Sequence, residues 1–127
     1  MIIKIPFKTP SVNHLYGHRG AIMFLTKEAK ELREKIAEIV RDQQQSPDIP
    51  TMYNKPLKVT TYIYEDWHCK NGSIKRVDVA NREKFLIDSV FNALGIDDKF
   101  IFEHTMIKKR QDLFLEENKA VVEVTPL

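Results

Sequence analysis

The sequence predicts a small α+β domain in which a mixed β-sheet carries two main helices, in the order β-(β)-α-β-α-β-β. Three observations carry that expectation. Residues 57 to 64 alternate apolar and polar with a strand's period of two. Residues 27 to 43 and 80 to 94 repeat their apolar positions with a helix's period instead. The chain has 127 residues, 43% hydrophobic and 30% charged, which is ordinary for a soluble domain with one small core. One domain over 1–127 follows, and so small a core makes a homodimer plausible.

The elements follow in order. Residues 2 to 7, Ile-Ile-Lys-Ile-Pro-Phe, form a strand, placed at a sheet edge because Pro6 lacks a backbone donor. Residues 9 to 20 are polar and turn-rich, and 21 to 25 form a short second strand. Thr26 is a good N-cap. Ala29, Leu32, Ile36, Ile39 and Val40 then give an amphipathic helix over 27 to 43. Three prolines within 42 to 56 mark a connecting loop. Leu57, Val59, Thr61 and Ile63 make one face of the next strand; Lys58, Thr60, Tyr62 and Tyr64 make the other. The second helix runs from about 80 to 94, with Asp78 or Asn81 as cap and Gly95 as its end. Leu86, Val90 and Leu94 form one apolar line on it, and Ile87 and Phe91 the next, a face able to meet a partner subunit. Residues 101 to 109 and 119 to 125 are two strands joined by a polar turn near Glu116 to Asn118.

Composition excludes some chemistry. The single cysteine, Cys69, cannot form an internal disulfide and suits a reducing compartment. His68 beside it would point to the opposite face of a strand, so a thiol nucleophile is not expected. The N-terminus lacks the apolar core of a signal peptide, and no run approaches the roughly 20 apolar residues of a membrane span. A cytoplasmic protein with no membrane partner is the expectation.

Charge is informative through its placement, since the net charge is only +2. Residues 70 to 76, KNGSIKR, hold three positive charges and no acid, and Lys108-Lys109-Arg110 adds three more. Residues 75 to 84 then put bases, a carboxylate, a helix start and a lysine within ten positions, and Asp97-Asp98 follows the helix. Acids to hold a divalent cation and bases to hold a phosphate backbone are the raw material of a metal-dependent phosphodiesterase. Each residue also has a plainer role. Asp78 can be an N-cap, Asp97-Asp98 a polar turn, and Lys84 and Asp88 surface residues. A helix of this length spans about 22 Å. Asp78 and Asp98 therefore meet only if the following segment runs back along the helix, or if a second protomer completes the site. His14, His18 and His104 show no metal-ligand spacing.

The run Asp78-Val79-Ala80-Asn81, with Lys84 three residues on, then Ile87-Asp88 and Ala93-Leu94-Gly95-Ile96-Asp97-Asp98, resembles the RusA family of Holliday junction resolvases. The segment Pro10-Ser11-Val12-Asn13-His14-Leu15-Tyr16 is similar to that family's Pro-Ser-x-Asn-x-x-Tyr. The resemblance covers nearly the whole chain and is strongest over 74 to 110. It implies a homodimer that uses Mg²⁺, with Mn²⁺ as a substitute, to nick four-way DNA junctions in recombination and repair, often phage- or prophage-borne. It implies metal-site acids at Asp78, position 80 and Asp98, and a required lysine at Lys84. The two basic runs supply Lys70, Lys75, Arg76, Lys108, Lys109 and Arg110 as candidate DNA contacts, and the resemblance adds Asn13 and Tyr16.

Position 80 departs from the pattern. Alanine has no ligand atom, so an expected acid is missing and the enzyme is expected to be inactive or weakened. Ala80 is either a deliberate change that traps an inactive protein, favoured by the intact motif around it, or a natural loss or relocation of the ligand. Losing a carboxylate also removes repulsion against phosphate, so a non-catalytic junction-binding protein is the alternative.

Overall fold

The computed structural model describes residues 1–10, 16–20, 22–43, 52, 54–110 and 119–127. Its elements are β1 (Ile2–Ile5), β2 (Tyr16–Arg19), β3 (Ile22–Leu25), α1 (Lys27–Gln43), β4 (Leu57–Glu65), α2 (Val79–Leu94), β5 (Ile101–Arg110) and β6 (Ala120–Pro126). A single 3₁₀ turn at Asp98–Phe100 leads into β5. Among the described residues one four-stranded sheet has the order β1-β6-β4-β5, and β2 pairs with β3 in a separate two-stranded ladder. The fold is α+β with a mixed sheet: β4 and β5 are parallel, while β6 is antiparallel to both β1 and β4.

The parallel pair positions the site. Parallel neighbours need a crossover, and α2 supplies it. The chain leaves β4, rises through α2, and returns along it as β5. Gly95 makes the reversal possible. It ends α2 at φ 69°, a left-handed conformation that costs glycine nothing, and the amides of Gly95 and Ile96 cap the carbonyls of Asn92 and Phe91.

The β4 alternation holds. Leu57, Val59, Thr61 and Ile63 are buried, and the side chains between them are exposed or half-buried. They face Ile3 and Ile5 of β1, Val122 and Val124 of β6, and the two helices, all in one core. α1 meets this core through Ala29, Ile36 and Val40. α2 is covered by α1 on one side and the sheet on the other. Its Phe85, Leu86, Val90, Phe91 and Leu94 are therefore core residues, each worth about 1.5–3 kcal/mol of burial for its apolar side chain. This corrects the expectation that α2's apolar lines offer a face to a partner: they are already used within the protomer.

Two boundaries differ from expectation. β1 stops at Ile5, one residue before Pro6, because proline cannot continue the ladder to β6. Residues 16 to 19, expected as turn, form β2 against β3 in register Tyr16↔Leu25 to Arg19↔Ile22. The sequence Tyr-Gly-His-Arg shows no alternation, and the partner strand defines it. Most of the 42–56 loop and the turn at Glu116 to Asn118 lie outside the described residues.

Candidate active site

Asp78 has an extended backbone (φ −77°, ψ 131°), and its Oδ1 accepts the amide of Ala80 at 3.0 Å. It is the N-cap of α2, resolving the choice between Asp78 and Asn81. From that cap, α2 carries Ala80, Glu83, Lys84, Ile87 and Asp88 along one line, at the i, i+3, i+4 spacing of a helix face. The returning segment brings Asp98, Ile101 and His104 opposite them. The two rows enclose an open cleft of about 400 Å³.

The Asp97-Asp98 pair divides its labour. Asp97 Oδ1 accepts the amide of Lys99 at 2.9 Å and caps the 3₁₀ turn. Asp98, exposed, lines the cleft. Ala80, Lys84 and Asp98 thus meet in one cleft, and Asp78 caps the helix two residues before Ala80. The chain running back along the helix brings Asp98 to the cleft, and Asp78 is not among the residues that line it.

Lys84 is 63% exposed and lies 3.5 Å from Asp88 across one helical turn. Asp88, expected as a plain surface residue, is half-buried and contributes to the cleft. Two further residues line the cleft: Glu83, which the sequence did not single out, and His104, which it weighed only as a metal ligand. Glu83 is buried, and its Oε1 lies 3.2 Å from His104 Nε2. The same ring nitrogen is 3.2 Å from the Thr61 hydroxyl on β4. Burial pushes the Glu83 carboxyl up to about 7, with the Asp88 charge adding to the rise and Lys84 opposing it. Burial also lowers His104 from its ordinary range. Burial disfavours the charged imidazolium, so the contact near neutral pH is a hydrogen bond rather than a full ion pair. The helical spacing from Ala80 to Glu83 was the available clue; the 101–109 strand was legible, but not that it sets His104 opposite α2.

A hard cation such as Mg²⁺ takes carboxylate oxygens, commonly one or two from protein with waters completing the shell. Asp98 presents such oxygens to the cleft, Asp78 spends Oδ1 on the helix cap, and Ala80 offers none. Among the described residues no group of three or more His, Cys, Asp or Glu side chains stands ready to hold a metal. The donor chemistry is right, but the ligand set is unfinished.

The basic residues lie beyond the N-terminal end of α2. Residues 67 to 75 form a tight hairpin: His68 bridges Ile74, Cys69 donates to Ser73, and Lys75 donates to the Trp67 carbonyl. Trp67 is buried beneath it and donates Nε1 to the Lys109 carbonyl at 2.9 Å, pinning the hairpin to the end of β5. Lys70, Lys75 and Arg110 consequently line one cleft of about 670 Å³, with Asp66, His68 and Cys69. Arg76 is exposed beside it. Lys108 donates to the Val77 carbonyl at 2.6 Å and stacks over the Trp67 ring at 4.7 Å. That strap fixes the residue just before Asp78. Lys109 turns the other way, over Tyr62 at 6.0 Å, because neighbours on a strand face opposite sides. The six bases are therefore distributed, with Lys70, Lys75 and Arg110 as the compact group. Asn13 lies outside the described residues, as does the side chain of Tyr16.

The family whose pattern matches this chain is Endodeoxyribonuclease RusA, over residues 6–125 of 127. The chain belongs to the RusA endodeoxyribonuclease family. The match takes in both clefts and all the candidate residues, and it bears out the resemblance to junction resolvases. Comparison with curated proteins gives no match. No described helix of this chain is long and apolar enough to cross a membrane.

Proposed function

We propose that this member of the RusA family is a Mg²⁺-dependent, structure-specific endodeoxyribonuclease of four-way DNA junctions, weakened by alanine at position 80. The observation that carries the proposal is the convergence of Ala80, Lys84 and Asp98 on one cleft, with Lys70, Lys75 and Arg110 gathered in a second cleft beyond the same helix end. Asp98 and Asp78 are the acids assigned to the cation, and Mn²⁺ is its substitute. A bound divalent cation would neutralise the scissile phosphate. Lys84 would stabilise negative charge developing on the phosphate. The basic hairpin would hold the backbone of the junction.

The acting unit is proposed to be a homodimer, since a junction offers two symmetry-related strands and a two-fold pair offers two sites. With α2 buried, the surface assigned to it is β5, the edge strand of the described sheet, where Phe102 is 68% and Met106 40% exposed.

The alternative, a non-catalytic junction binder, draws on Ala80 itself. A cleavage assay on a synthetic four-way junction in Mg²⁺ separates the two. Ala80→Asp is expected to raise nicking by about 100-fold or more, because one more carboxylate completes the acid set. A folded Ala80→Asp variant that stays inert while binding junctions supports the binder.

A further inference from the structure

Glu83 stands one helical turn beyond Ala80 in the same cleft as Asp98. Residues three apart on a helix are neighbours at about 5–6 Å between Cβ atoms. Helical side chains also lean toward the N-terminal end, so Glu83 leans toward Ala80. Glutamate is one methylene longer than aspartate. Alanine at 80 leaves in front of it the room an acid there would have filled.

The carboxyl is held as well as near. Glu83 is 7% exposed, and its Oε1 is within 3.2 Å of His104 Nε2, which is itself 3.2 Å from the Thr61 hydroxyl. The chain Glu83–His104–Thr61 crosses from α2 through β5 to β4. A solvated surface glutamate needs no such support. A buried carboxyl that costs desolvation free energy, set beside a missing acid, is where a relocated catalytic group would be placed.

Resting on the junction-nuclease reading above, we propose that Glu83 is the general base of this chain, standing in for the acid absent at position 80. Glu83 takes a proton from the attacking water as its oxygen bonds to phosphorus. The bond from phosphorus to the leaving sugar oxygen breaks, and that oxygen takes a proton from solvent. His104 holds the carboxyl in place. The carboxyl's ordinary acidity would be too weak a base for efficient transfer near pH 7, and the upward push of burial brings it closer to the working range.

The test is a double-mutant cycle on junction cleavage in Mg²⁺, using the full chain, Glu83→Gln, Ala80→Asp and the double variant, with junction affinity measured alongside. The unsubstituted chain is expected to nick slowly, and Glu83→Gln to lower that rate about 100-fold with junction affinity within about threefold. In the Ala80→Asp background the loss is expected to shrink to about tenfold or less, because the completed acid set lessens the demand on a general base. Equal rates for the unsubstituted chain and Glu83→Gln, or an equal loss in both backgrounds, overturn the proposal while leaving the nuclease reading intact. So does an unsubstituted chain without cleavage beside an active Ala80→Asp variant. If no variant cleaves, the nuclease reading itself fails. Should Glu83→Gln not fold, Glu83→Met, apolar and of similar length, replaces it in the same cycle with the same outcomes.

Discussion

Replacing Glu83 by glutamine is expected to stabilise the protein above neutral pH. The Glu83 carboxyl rises from 4.5 to about 7 in the fold, mainly by burial. At about 1.4 kcal/mol per pH unit, that corresponds to roughly 3 kcal/mol. The sign follows from linkage. The folded state binds the proton more tightly, so the stabilisation is complete below 4.5 and is lost as pH rises through about 7. His104 works in the opposite sense: burial lowers it from 6.5, so its contribution is lost as pH falls below that value. The groups facing Glu83 are Lys84 and Asp88 on its own helix, with His104 from β5 and Asp98 across the cleft. Above about pH 6.5 the falling limb of Glu83 dominates. Roughly 1 kcal/mol of stability should disappear between about pH 6 and 8, or about 4 °C in Tm for a domain of this size. Glu83→Gln removes the titration and keeps an amide able to bond His104. Thermal unfolding of both proteins across that range checks this. The variant's Tm should vary less and exceed the parent's at the alkaline end. Parallel Tm-against-pH curves would refute the claim that Glu83 is held against its charge.

Three further outcomes are expected. In the Ala80→Asp background, Asp98→Asn should lower junction cleavage by about 100-fold, while Asp97→Ala should cost mainly turn stability, about 1 kcal/mol, read by thermal unfolding; unchanged cleavage in Asp98→Asn would return both acids to the turn. Charge reversal of Lys75 and Arg76 should weaken junction binding and flatten its salt dependence by about 0.9 in log–log slope for each phosphate the protein ceases to neutralise; a salt titration by fluorescence anisotropy measures it, and an unaltered slope would separate the hairpin from DNA. Phe102→Asp on the β5 edge should shift the proposed dimer toward monomer in sedimentation at micromolar concentration, and a dimer that persists would move the interface off β5.

Family membership, both main helices and the alternating β4 strand were legible in the sequence because local chemistry decides them. A 3.6-residue period makes 27 to 43 a helix wherever it packs, and Asp78 and Gly95 bound the second helix through caps that need no distant partner. Ala80 was also legible, since a missing oxygen is a fact of sequence. The tertiary structure decided what those elements face. Apolar periodicity says which side of α2 is buried but not by what, and its cover is α1 and the sheet. β2 was hidden because its four residues become a strand only against β3. Lys108 looked like any basic residue until Trp67 and the Val77 carbonyl met it from 41 and 31 positions away. The Glu83–His104 contact joins residues 21 apart, and burial supplies both of their shifts. Sequence spacing encodes neighbours along an element. Burial and pairing between elements depend on how the crossover returns along the helix, and only the packed chain determines that.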